Sequence, residues 1–151
     1  MHLAPGRPVP DLAVEAYVRD ADGPVAFRLS DLRPRWLVLT VGARVCELAE
    51  LAALERDFAD ADAVVVAAAA DGHAELAALM QDEPALGDVA FPVIADPTGA
   101  VPIAVRRRRV VVVADPDGIV RQAAVVDRPA AELLRCVRAL QARHGGLRLA
   151  A

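Results

Sequence analysis

Cysteine is the residue type in this chain best suited to covalent chemistry, and there are two, Cys46 and Cys136. Cys46 follows the apolar stretch Trp36-Leu37-Val38-Leu39-Thr40-Val41 and the bend Gly42-Ala43-Arg44-Val45, and it opens the helical pattern Glu47-Leu48-Ala49-Glu50-Leu51-Ala52-Ala53-Leu54. A thiol in the first turn of a helix faces unpaired backbone N–H groups and the positive end of the helix dipole, which favour the nucleophilic thiolate. The competing reading makes Cys46 a small buried residue at a helix start. Cys46-Glu47-Leu48-Ala49 is not a Cys-x-x-Cys, so dithiol exchange is not expected. Cys136 shares a helix face with Leu133, Val137 and Leu140 and reads as core. Arg109 directly precedes the apolar stretch Val110 to Ala114, at the sheet end facing the helix that Cys46 opens, whereas Arg106 to Arg108 read as a solvated loop face. His73 stands near a helix start without a cluster of zinc, iron or copper ligands, so neither metal nor cofactor is expected. Glu47/Glu50 and Asp60/Asp62 read as solvated faces; Glu47 and Glu50 oppose a thiolate at Cys46 unless Arg44 or Arg109 offsets them.

The elements that must position these residues follow from periodicity and punctuation. The prolines of Pro5-Gly6-Arg7-Pro8-Val9-Pro10 exclude helix and make a lead-in segment. Leu12 to Arg19 and Val25 to Leu29 flank the turn-rich Asp20-Ala21-Asp22-Gly23-Pro24 and predict a hairpin. Ser30-Asp31-Leu32 begins a short turn that Pro34 interrupts, and Trp36 opens a buried strand. One helix is predicted from Cys46 to about Ala59, with Leu48, Leu51, Ala52, Leu54 and Phe58 at helical spacing. Ala63 to Ala70 is a second buried strand, and Asp71-Gly72-His73 leads into a helix through Leu76, Leu79 and Met80. Phe91-Pro92-Val93-Ile94-Ala95 is a short extended run closed by the turn Asp96-Pro97-Thr98-Gly99. Val110 to Ala114 turns through Asp115-Pro116-Asp117-Gly118 into an antiparallel neighbour, Ile119 to Val126. A last helix is predicted from about Pro129 to Arg143, stopped by Gly145-Gly146.

Strands alternating with helices, then a hairpin and a closing helix, indicate an α/β sandwich with a mixed sheet. The 151 residues, 56% hydrophobic, suffice for one domain spanning residues 1–151. A formal charge of −4 leaves no basic excess to neutralise phosphates, which argues against nucleic-acid binding. The apolar runs are too short to cross a bilayer, and the N-terminus does not read as a secretory signal, so a cytoplasmic, reducing compartment without membrane contact is expected.

The order of motifs resembles the peroxiredoxin (alkyl hydroperoxide reductase/thiol-specific antioxidant) family of thioredoxin-fold proteins. Gly6-Arg7-Pro8-Val9-Pro10-Asp11-Leu12 resembles its Gly-x-x-x-Pro-Asp-Phe segment, and Phe27-Arg28-Leu29-Ser30-Asp31-Leu32 its Leu-Ser-Asp-Leu segment. Ala70-Asp71-Gly72-His73 is similar to Ser-x-Asp-x-x-x-His. Phe91-Pro92-Val93-Ile94-Ala95-Asp96-Pro97-Thr98-Gly99 is similar to Phe-Pro-Leu-Leu-Ser-Asp-Pro-x-Gly, and Arg109 to Arg121 to Arg-x-x-Phe-Ile-Ile-Asp-x-x-Gly-x-Ile-Arg. The resemblance implies a thioredoxin-like sandwich, with a mixed central sheet, an N-terminal hairpin and flanking helices. It also implies a thiol peroxidase acting on hydrogen peroxide or organic hydroperoxides, with Cys46 as peroxidatic nucleophile and Arg109 polarising the peroxide. An external thiol, thioredoxin-like or of low molecular weight, is the implied reductant, and a homodimer is implied as well. Cys136 is the candidate resolving thiol if the cycle is not a single-cysteine one. The family pattern Pro-x-x-x-Thr-x-x-Cys is replaced here by Leu39 and Ala43 ahead of Cys46, and the loop is shorter. The alternative function is therefore a redoxin-fold binding or interaction module without peroxidase activity.

Overall fold

The computed structural model describes residues 4–18, 23–42, 44–69, 72–86, 89–95, 110–125 and 129–150. Trp36–Val41 (β3), Ala63–Ala69 (β4) and Val110–Ala114 (β6) are almost wholly buried, which is why their sequences are continuous apolar runs with no polar alternation. Around them lie the strands Ala13–Tyr17 (β1), Val25–Arg28 (β2), Val93–Ala95 (β5) and Val120–Val125 (β7). They form one mixed seven-stranded sheet in the order β2-β1-β5-β4-β3-β6-β7. The pairs β3/β4 and β4/β5 are parallel, and all other pairs are antiparallel. The expected hairpin is the β1/β2 pair at one edge, with Ala13 opposite Arg28.

The period of two sorts side chains between the faces. Trp36, Val38, Val65, Ala67, Val111 and Val113 belong to one core together with side chains of the helices Val45–Ala53 (α1), Glu55–Asp60 (α2), His73–Asp82 (α3) and Ala130–Ala150 (α4). Leu37, Leu39, Val41, Val66, Ala68 and Val112 belong to a second core, closed by Val9 of the lead-in and by Leu29 of a short 3-10 turn, Leu29–Leu32. The lead-in is fastened to β7 through Val9 N–H on Gly118 O and Val120 N–H on Arg7 O, at 2.7 and 2.9 Å. This mixed α/β architecture is the thioredoxin-like fold expected from the sequence.

Two helix expectations are corrected. The helix from Cys46 is two pieces, because Leu54 (φ −108°, ψ 6°) leaves helical geometry and its N–H bonds Leu51 O in a tightened last turn. Beyond the break, Phe58 of α2 is fully buried. Likewise, α4 is not stopped by Gly145-Gly146 but runs through them to Ala150. A glycine in a helix costs about 1 kcal/mol relative to alanine, which weakens the helix without ending it. Among the described residues no helix is long and apolar enough to cross a membrane.

Candidate active site

β3 ends at Val41, Gly42 turns the chain with φ 79°, and α1 begins at Val45 with Arg44 as the extended residue before it. Cys46 therefore lies in the first turn of α1, as its position in the sequence predicts, and its side chain is exposed as a free thiol. That exposure removes the reading of Cys46 as a buried packing residue. Glu47 and Leu48 donate their amides to Arg44 O at 3.0 Å, so the helical ladder starts just past the cysteine. The amides of Val45 and Cys46 precede it, in the turn where an α-helix supplies no intrahelical acceptor.

Glu47 departs from the sequence reading. It is 9% exposed rather than solvated. Its Oε2 accepts Arg44 N–H at 2.8 Å, and its Oε1 accepts the Arg44 guanidinium at 3.3 Å from Nε and 3.2 Å from Nη2. A carboxylate three residues into a helix that reaches back to the residue before it is half of a capping box, and it also meets the positive end of the dipole. The Arg44 side chain stays 78% exposed. The sequence signal for this clamp is an arginine and a glutamate three apart across a helix start. Glu50 is exposed, as expected.

The other sequence candidates separate. Arg109, Arg106 to Arg108, Asp71 and the Asp96-Pro97-Thr98-Gly99 turn lie outside the described residues, as does the side chain of His73, the first residue of α3. Cys136 is half-buried on α4, and its thiol donates to Gln122 Oε1 of β7 at 3.0 Å. Leu133 and Val137 beside it are buried, which fits the expected core face. Among the described residues, the one group able to hold a metal is Asp115, Asp117 and His144. It belongs to the opposite end of the sheet: Ala114 pairs with Leu37 at the start of β3, whereas Cys46 follows its end.

A strand delivering a free, exposed thiol to the first turn of a helix is an arrangement for nucleophilic thiol chemistry. The model of the AhpC/TSA family matches residues 5–123. The chain belongs to the AhpC/TSA family. With the family comes the class, a thiol-dependent peroxidase and hence an oxidoreductase. Solved structures similar to this AhpC/TSA chain are peroxiredoxins. AhpC from Enterococcus faecalis superposes with a TM-score of 0.79 at 22% identity, covering 96% of this chain and 97% of its own. The mitochondrial 2-Cys peroxiredoxin of Plasmodium falciparum gives 0.77 at 16% identity, covering 91% and 94%. AhpC from Mycobacterium tuberculosis gives 0.77 at 18%, covering 93% and 94%. No curated protein matches the chain. Cys46 lies inside the span matched by the AhpC/TSA model, and Cys136 lies beyond it.

Proposed function

We propose that the chain is a single-cysteine peroxidase in which Cys46 reduces hydrogen peroxide or an organic hydroperoxide and an external thiol restores it. The observation that carries the proposal is the exposed Cys46 thiol in the first turn of α1, within the family-matched span. The thiolate sulfur attacks one peroxide oxygen and the O–O bond breaks. Cys46 becomes a sulfenic acid, and the other oxygen leaves, with a proton, as water or alcohol. A first external thiol condenses with the sulfenic acid, releasing water and leaving a mixed disulfide. A second thiol displaces Cys46 as thiolate and carries the disulfide away.

The first-turn amides are the donors left to the peroxide oxygen, because leucine and alanine stand where the family has proline and threonine. The proposed role of Arg109 as electrostatic support draws on the register: Val110, bonded to it in the chain, pairs with Val41, the residue that ends β3 ahead of Cys46. The single-cysteine cycle draws on Cys136 being half-buried and hydrogen-bonded to Gln122. A thioredoxin-type protein or a low-molecular-weight thiol is the proposed reductant, in a cytoplasmic setting, and a homodimer is the proposed assembly. The family match weighs against the alternative of a binding module without peroxidase activity.

The test is peroxide consumption with dithiothreitol as reductant, together with sulfenic-acid trapping read by mass spectrometry. Turnover and trapping that are lost in Cys46→Ser and retained in Cys136→Ser support the reading. Equal rates for the native protein and Cys46→Ser refute the peroxidase. Loss of turnover in Cys136→Ser, with Cys46 still trapped as sulfenate, refutes the single-cysteine cycle.

A further inference from the structure

At the end of the sheet remote from Cys46, β6 runs into the turn Asp115-Pro116-Asp117-Gly118, and α4 brings His144 over it. The Asp115 carboxylate is fully buried, with Oδ1 accepting the amides of Asp117 and Ile119 at 2.9 and 3.0 Å. Its Oδ2 receives Arg121 Nε at 2.7 Å, and His144 Nδ1 lies 4.0 Å from the same oxygen. The His144 ring stands edge-on to Trp36, at 87° with ring centroids 5.5 Å apart, which fixes its plane. Among the described residues its Nε2 is a buried side-chain nitrogen without a hydrogen-bond partner. It is the ring nitrogen other than Nδ1, and Nδ1 is the one that faces the Asp115 carboxylate. One ligand atom each from Asp115, Asp117 and His144 lies within 4.8 Å of the others.

We infer that Asp115, Asp117 and His144 form a binding site for a borderline divalent transition-metal cation such as zinc(II). An imidazole with two carboxylates is a donor set for this class of ion, whereas magnesium and calcium prefer all-oxygen shells. Ligands about 2.0 to 2.2 Å from a tetrahedral zinc are about 3.3 Å from one another, so the three side chains need to close by up to about 1.5 Å. The exposed side of Asp117 leaves the fourth position to solvent. The Arg121 guanidinium stands where the cation would bind Asp115, so it acts as an internal competitor. Its side chain is 41% exposed. His144 lies beyond the span that the family model matches, so this donor comes from the chain's own C-terminal helix.

The test is calorimetric titration with zinc(II) of untagged protein carrying Cys46→Ser and Cys136→Ser, which removes competing thiols, with far-UV circular dichroism confirming the fold. One saturating equivalent is expected, with the His144 imidazole signals moving in nitrogen-edited NMR spectra. His144→Gln and Asp117→Asn each weaken binding by about tenfold or more, His73→Gln leaves it unchanged, and Arg121→Gln tightens it. Asp117 is exposed, so its variant keeps the test informative where His144→Gln disturbs the packing against Trp36. Absence of saturable binding, or an affinity unaltered by both Asp117→Asn and a folded His144→Gln, overturns the site. Weaker binding in Arg121→Gln removes Asp115 from it.

Discussion

Glu47 ties the stability of the helix start to the reactivity of the thiol beside it, and Glu47→Gln separates the two. Glutamine preserves the shape and can still accept Arg44 N–H, but it removes the charge from the contacts with Arg44 at 2.8, 3.2 and 3.3 Å. The ion pair reaches solvent through Arg44 and contributes about 0.2–1 kcal/mol after screening. A carboxylate in the first turn adds about 0.3–1 kcal/mol through the dipole. A loss near 1 kcal/mol follows, which for a chain of this size lowers Tm by about 2–4 °C. Reactivity moves the other way. A carboxylate beside a thiolate disfavours it by like-charge repulsion, so removing the charge raises thiolate-dependent rates. It also releases Arg44, two residues before Cys46, from its partner. The assay pairs thermal unfolding with alkylation of Cys46 by iodoacetamide in a Cys136→Ser background. Glu50→Gln is the comparison: four residues past Cys46 on the same helix face and exposed, it should speed alkylation without lowering Tm. A Glu47→Gln protein that melts with the native one, or whose alkylation slows, refutes the clamp.

Three further outcomes can be checked. Hydrogen bonds from Ser30 and Arg28 hold the Asp11 carboxyl at about 2, against an ordinary 3.8. A depressed carboxyl stabilises the fold above its unfolded value and loses that contribution as pH falls through its folded value, so the Tm gap between native protein and Asp11→Asn should be constant above about pH 5 and shrink steadily down to about pH 2; a gap undiminished at about pH 2 refutes the tie of Asp11 to Ser30 and Arg28. Phe58 is fully buried where α2 meets the core, so Phe58→Ala should cost about 3–5 kcal/mol in denaturant unfolding, and a cost under about 1 kcal/mol would contradict that packing. Ala43→Thr returns a hydroxyl three residues before Cys46; one hydrogen bond to a peroxide oxygen, about 0.5–1.5 kcal/mol, should raise the peroxide oxidation rate about two- to tenfold while iodoacetamide alkylation stays put, and a parallel change in both rates would count against peroxide binding there.

The sheet was legible because its central strands have no second reading. Val-rich runs of five to seven residues bounded by turns suit strands buried on both faces, and β3, β4 and β6 all lie where those runs predict. The hairpin and the Asp115-Pro116-Asp117-Gly118 turn were legible for a different reason. Their chemistry is local, with Gly118 at φ 81° and the Asp115 side chain bonding amides two and four residues on. The misread helix boundaries were those that local preference does not decide. Leucine is a good helix former, so nothing at Leu54 announces the break between α1 and α2. Gly145-Gly146 carries the statistical mark of a helix end, yet α4 continues through it.

The site divides along the same line. Cys46 could be placed from sequence because strand, bend and helix are consecutive, and three adjacent elements fix a residue in a first turn without long-range information. Arg44 and Glu47 were within that same window, but a surface glutamate is read by its average behaviour, and only the folded geometry shows it turned back and 9% exposed. Asp115 and His144 are the harder case, since all of β7 and most of α4 separate them in the chain and no periodicity links them. What joins them is the packing of α4 on the face that carries Trp36, which brings the imidazole against both Trp36 and the carboxylate. Local pattern thus reveals the nucleophile, whose chemistry depends on the start of one helix. A ligand set drawn from two distant elements becomes visible only once the sheet has chosen its order.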